Sequence, residues 1–140
     1  MGSLKENKFK KVALFSTTNN KRVLSIANQC KEVLCNRGIE VLATNKLKGI
    51  GSKELTIYSQ IEITKQSDLV IAIGGDGTML SCSRKFGSEG VPILGINLGN
   101  LGFLADLNPK NLTETLIKVM EGEFKEDRRF FIEASIAGEE

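Results

Sequence analysis

The chain has 140 residues, 41% hydrophobic and 26% charged, and 19 basic against 17 acidic side chains leave a net charge of +2. That length holds one domain with a real core, and a balance so near neutral, with no basic stripe, offers nothing to a nucleic acid. With no histidine in the sequence, every mechanism built on an imidazole base, Ser-His-Asp and Cys-His included, is excluded within these residues, and so is zinc held by histidine.

The amino-terminal residues 1–10, with Lys5, Lys8 and Lys10, are expected to be a solvated, flexible start. They lack the apolar centre of a signal peptide, and no apolar run reaches the length of a membrane span. Lys11 to Phe15 predicts a first strand, β-rich at Val12, Leu14 and Phe15. The polar run Ser16 to Asn20 can cap the helix after it, whose apolar positions Val23, Ile26, Ala27, Cys30, Val33 and Leu34 keep helical spacing. Gly38 suits the end of that helix, and Ile39 to Ala43 reads as a second strand.

Thr44 to Gln66 is less legible. Lys46 to Lys53 has the composition of a mobile surface segment, and Gly51-Ser52-Lys53 has the wrong order for a Walker loop. A short helix or turn around Ile57 to Thr64 is expected to lead into the run Leu69-Val70-Ile71-Ala72-Ile73, a strand apolar enough to be buried on both faces.

Gly74-Gly75-Asp76-Gly77-Thr78 follows that strand directly. Glycines between a strand and a helix let a ligand approach the backbone closely, and the free N–H groups of a helix start favour an anion such as a phosphate. An acid, Asp76, inside such a cradle is electrostatically awkward unless it takes a proton, holds a metal or accepts hydrogen bonds from a sugar; phosphoryl transfer to a hydroxyl needs such a group. The plain alternative is a turn aspartate bonded within its own loop.

Thr78 to Lys85 then predicts a helix with Met79, Leu80 and Cys82 facing inward, and Val91 to Ile96 a fourth strand with Pro92 at its start. A second glycine-rich loop runs from Gly95 through Asn97, Gly99 and Gly102 to Phe103 and Leu104. Asn108-Pro109 opens a further helix with Leu112, Leu116, Val119 and Met120 inside, ended by Gly122. Arg129 to Ala137 alternates apolar and polar, as a half-buried strand of an antiparallel sheet does, with nothing evident to pair with. Cys30, Cys35 and Cys82 are an odd number at no metal-ligand spacing, and the first and last read as buried, reduced thiols of a cytoplasmic protein.

The alternation of strands and helices predicts an α/β fold, a Rossmann-like parallel sheet with helices on both faces over residues 11–127, ending in the first strand of a missing all-β domain over 128–140. Ligands of such sheets bind at the carboxyl ends of the strands, from which both glycine loops leave. Eight of the 14 glycines lie between Gly74 and Gly102, a concentration that argues for one cleft.

Neither loop is Gly-x-Gly-x-x-Gly. Gly-Gly-Asp-Gly-Thr resembles instead the phosphate loop shared by NAD kinases, lipid kinases of the diacylglycerol and sphingosine type, and 6-phosphofructokinases. The second loop, Gly95 to Leu104, resembles the second signature of NAD kinases. The resemblance spans Val12 to Ile136 and implies ATP-dependent phosphorylation of the 2′-hydroxyl of the adenosine ribose of NAD, giving NADP. It implies that Asp76 accepts or orients that hydroxyl, that Gly75, Gly77 and Thr78 contact phosphates or ribose, that Asn97 and Phe103 serve the NAD site, and that Mg²⁺ accompanies ATP. Phe103 as a core residue, Asn97 bonded to neighbouring backbone, Arg84 on the surface and Asp106 as a helix cap are the bland counterparts. The family's enzymes continue into an all-β domain and form homo-oligomers, so the chain reads as an amino-terminal half, expected to be inactive alone. A lipid kinase domain and a non-catalytic nucleotide-binding module are the alternatives.

Overall fold

A computed structural model describes residues 6–47, 56–98, 109–123, 125–126 and 131–133. In chain order the elements are β1 (Lys11–Phe15), α1 (Lys21–Asn36), β2 (Glu40–Ala43), a 3₁₀ turn (Asn45–Leu47), β3 (Thr56–Ile57), α2 (Gln60–Gln66), β4 (Leu69–Gly74), α3 (Asp76–Phe86), β5 (Ile93–Asn97), α4 (Pro109–Met120), β6 (Lys125–Glu126) and β7 (Phe131–Glu133).

The sheet order is β3-β2-β1-β4-β5-β7-β6, and every neighbouring pair is parallel except β6 with β7. The chain therefore starts in the middle, builds outward through β2 and β3, and crosses back to β4 on the other side of β1. Successive residues of each strand point to opposite faces, and that alternation sorts the core in two. Val12, Leu14, Ile71 and Ile73 pack with α1 and α4, whereas Ala13, Phe15, Val70 and Ala72 pack with Ile63 of α2 and with Cys82 and Phe86 of α3. All six residues of β4 are buried, as a strand covered on both faces requires.

The helices begin where the sequence offers a cap. Asn20 accepts from the Val23 N–H at 2.9 Å, and Ser59 and Glu62 form a reciprocal capping box at the start of α2. Pro109 is the first residue of α4, a position whose N–H has no intrahelical partner in any case. Gly38 and Gly122 close α1 and α4 at φ of +77° and +89°.

Four expectations change. Leu80 is 54% exposed; the inward stripe of α3 is Thr78, Cys82 and Phe86, one turn apart each, and a polar member at its head hides that stripe from a purely apolar reading. Leu47, expected in a mobile surface segment, is fully buried, because the 3₁₀ turn packs against β1 and carries it into the core cluster beside α1. Residues 7–9, expected to be flexible, are tied down. Phe9 is buried, the Lys8 N–H donates to the Met120 carbonyl at 2.7 Å, and Asn7 exchanges hydrogen bonds with Arg37. Phe131–Glu133, read as a strand without a partner in an antiparallel sheet, pairs in parallel with Ile93 and Leu94 and antiparallel with β6. The backbone donors and acceptors that β5 would otherwise leave open on that side are satisfied this way.

Candidate active site

In a doubly wound sheet the crevice for a ligand opens where neighbouring strands send their connections in opposite directions. Here that point lies between β1, which leads out to β2, and β4, which leads on to β5. The loop after β1 supplies Ser16 and Thr17, and the loop after β4 is the glycine stretch.

Gly74 ends β4 at φ +155°, and a Cβ built there would stand 2.6 Å from Thr78 Oγ1. Glycine is thus required by the turn itself. Gly75 is the residue before α3 and carries no capping side chain, and its carbonyl receives the Met79 N–H at 3.0 Å. The N–H groups at the head of α3 consequently have no side-chain cap, and they face the crevice where the helix dipole is positive. Asp76 is the first residue of α3 and is exposed; Gly77 beside it is exposed as well, and a Cβ added there meets nothing within 4 Å. Thr78 is buried, and its hydroxyl shares a hydrogen bond of 2.5 Å with the hydroxyl of Thr17. That bond closes the crevice from β1 to β4 at its base.

From the other side, Asn97 is the last residue of β5 and pairs in register with Gly74. Its side-chain amide donates to Asp76 Oδ1 at 3.1 Å. The Leu98 N–H donates to the Gly74 carbonyl at 2.6 Å. The structure thus brings Gly75, Asp76, Gly77, Thr78 and Asn97 to one place. Phe103 and Asp106 lie outside the described residues. Arg84 is exposed on α3. Thr17, assigned only to a capping loop by the sequence, is the site residue that sequence reasoning missed; its signal is its position just past a carboxyl end, and that becomes meaningful only once β1 and β4 are known to be neighbours.

Next to this crevice lies an open cleft of about 390 Å³, over the carboxyl ends of β1, β2 and β3. Phe15, Phe86 and Tyr58 form its apolar wall, and Thr17, Lys46 and Lys85 are among its polar lining. Phe15 and Phe86 meet edge to face, with ring centroids 5.5 Å apart. No group of three or more metal-ligating side chains occurs among the described residues.

A sequence model of the ATP-NAD kinase N-terminal domain matches residues 12–124. The chain belongs to the ATP-NAD kinase family. The NAD kinase of Shewanella halifaxensis (strain HAW-EB4) is 36% identical over 130 residues, which are 93% of this chain and 42% of that relative. The NAD kinase of Photorhabdus laumondii subsp. laumondii is 35% identical over 130 residues, 92% of this chain and 44% of the relative. The chain thus spans less than half the length of these ATP-NAD kinase relatives. Yeast NADH kinase complexed with NADH superposes with a TM-score of 0.61 at 19% identity, over 89% of this chain and 44% of that one. A diacylglycerol kinase from Bacillus anthracis str. Sterne gives 0.52 at 23% identity, over 86% and 45%. At such identities the two structures share the fold, which ATP-NAD kinases and lipid kinases therefore have in common. The family expected from the two glycine loops and the α/β architecture expected from the alternation of strands and helices are both borne out.

Proposed function

We propose that this chain is the catalytic-loop half of an enzyme that moves the terminal phosphoryl group of ATP onto the 2′-hydroxyl of the adenosine ribose of NAD, forming NADP. The observation that carries the reading is the pairing of an exposed carboxylate, Asp76, with Asn97 across the carboxyl ends of β4 and β5, at the head of a helix whose first N–H groups have no side-chain cap. A hydroxyl lying against Asp76 is oriented by it and can pass it a proton, while the N–H groups and Gly77 receive phosphate oxygens. Asn97 holds the carboxylate in one rotamer and so fixes where the hydroxyl sits. Catalysis of phosphoryl transfer is mostly placement and charge neutralisation, and an aspartate suffices for that.

Asp76 and the phosphates of ATP together suit Mg²⁺, which is usually held by one or two carboxylates and substrate phosphates rather than by a cage of protein ligands. The cation would neutralise charge on the transferring group. Phe103 is proposed to lie against the adenine of NAD, as the second glycine loop implies. The remainder of the NAD site is proposed to lie in an all-β domain that follows β7, and the complete enzyme is proposed to be a cytoplasmic homo-oligomer. No helix among the described residues is long and apolar enough to cross a membrane.

The test is an NADP-forming assay with ATP, Mg²⁺ and NAD, run on this chain and on the same gene product read to its stop codon. Activity in the longer protein that disappears with Asp76→Asn supports the reading. NADP formation undiminished in Asp76→Asn, or none from either protein, overturns it.

A further inference from the structure

α3 starts on weakly supported backbone. α1 and α2 are each capped by a side chain, whereas Gly75 caps α3 with none. Gly77, the second residue of the helix, is a poor helix former. Helix ends fray, the more so when their first N–H groups lack a cap. Asp76 is the first residue of this turn, so the carboxylate of the site stands where the helix by itself is least well held.

The support comes from another strand. Thr78, two positions after Asp76 in the same turn, is 3% exposed, and its hydroxyl shares a hydrogen bond of 2.5 Å with that of Thr17, 61 positions away. Two buried hydroxyls that would each be costly to leave unpaired keep such a contact made. Gly74 leaves room for it, since a Cβ there would stand 2.6 Å from Thr78 Oγ1. The loop that carries Thr17 is itself fixed. Phe15 pairs in register with Ala72 of β4, and the buried Ser16 accepts from the Thr18 N–H at 3.1 Å, a local turn with Thr17 at its centre.

We propose, resting on the kinase reading above, that Thr17 is a positioning residue for phosphoryl transfer. Acting through Thr78, it fixes the first turn of α3 and with it the place of the Asp76 carboxylate against the acceptor hydroxyl. Asn97, which reaches Asp76 Oδ1 at 3.1 Å, sets the rotamer of the carboxylate; Thr17 sets the backbone from which it projects. Thr17 touches no reacting atom in this role. Its effect is on rate, because a reacting group misplaced by about 1 Å slows transfer steeply.

The experiment is steady-state kinetics of NADP formation by the full-length enzyme, at a temperature where circular dichroism shows every variant folded. Thr17→Val keeps the shape and removes the hydroxyl. It should lower kcat about tenfold and leave KM for NAD and for ATP within about twofold of the parent. Thr17→Ser, which keeps the hydroxyl, should recover most of that loss. The double change Thr17→Val with Thr78→Val should be no slower than Thr78→Val alone, because both break the same bond. Turnover indifferent to Thr17→Val, a rise in KM with kcat unchanged, no recovery with Thr17→Ser, or losses that multiply in the double change would each overturn the proposal. An enzyme that forms no NADP, or forms it without need of Asp76, overturns the kinase reading and this role with it. An Asp76-dependent enzyme indifferent to Thr17→Val overturns the positioning role alone.

Discussion

The side-chain amide of Asn97 donates to Asp76 Oδ1 at 3.1 Å, so the last residue of β5 holds the first residue of α3. The two are 21 positions apart and come from different glycine-rich loops. Both are exposed, and the bond therefore adds little to stability. Its effect is orientation. Asn97→Ala in the full-length enzyme should lower turnover by on the order of ten- to a hundredfold, the scale of a misplaced reacting group, and move the free energy of unfolding by under about 1 kcal/mol. Steady-state kinetics beside a urea titration checks both halves; a large stability loss would make Asn97 a structural residue instead.

Gly74 and Gly77 flank the same carboxylate and should behave oppositely. Gly74→Ala drives a Cβ to 2.6 Å from Thr78 Oγ1 in a backbone conformation that L side chains avoid, and about 1–3 kcal/mol of destabilisation follows. Gly77→Ala meets open space within a helix, where alanine is favoured over glycine, so its melting temperature should hold or rise slightly. Loss of NAD phosphorylation by Gly77→Ala in a well-folded protein would show that a ligand needs that space. Unchanged kinetics would remove Gly77 from the site.

Thr78 is buried and bonded through its hydroxyl to Thr17. Thr17→Val strands that hydroxyl, and about 1–2 kcal/mol should be lost. The double change Thr17→Val with Thr78→Val removes both polar groups and should cost less than the two single changes added together, a coupling that denaturant unfolding of all four proteins measures.

Burial pushes the Cys30 thiol up to about 12, and the Cys82 thiol to about 12 against a small opposing pull from Lys85. The folded state thus keeps its thiol protons where an unfolded chain, with the ordinary thiol value of 9.0, gives them up. The stability from these thiols is complete below pH 9 and declines as pH rises toward 12, at most by about 1.4 kcal/mol per pH unit for each thiol. At neutral pH, Cys35, the exposed thiol, should react alone with a thiol reagent, and all three after denaturation. Rapid labelling of Cys30 in the folded protein would contradict this.

The parts of this fold legible in the sequence are those where one pattern speaks alone. β4 is evident because a strand covered on both faces is apolar throughout, and the glycine loops because their composition has few other causes. α3 is legible as a helix, but its inner face is not. Leu80 looks like a core residue, and Thr78, which is one, looks like a surface residue; only the hydroxyl of Thr17, brought from the other side of the crevice, explains why a threonine lies inward. β3 is two residues long, too short to carry any periodicity. Strand order, and with it the position of the crevice, is a property of pairing between distant segments, and no local pattern encodes it. The same holds for the cleft, whose described walls come from stretches far apart in the chain.

The Lys11 N–H is bonded to the Asp68 carboxylate 57 positions on, and Val12 pairs with Leu69. β1 is thus a central strand, with β2 on one side and no neighbour on the other until β4 has followed it. By contrast β4, α3 and β5 are consecutive and can associate over short loops, which close quickly. Synthesis order and assembly order therefore diverge, and one edge of β1 waits open until β4 exists to receive it. Pulsed hydrogen exchange during refolding should protect Ile71 and Leu94 ahead of Leu14; simultaneous protection would mean that the sheet forms all at once.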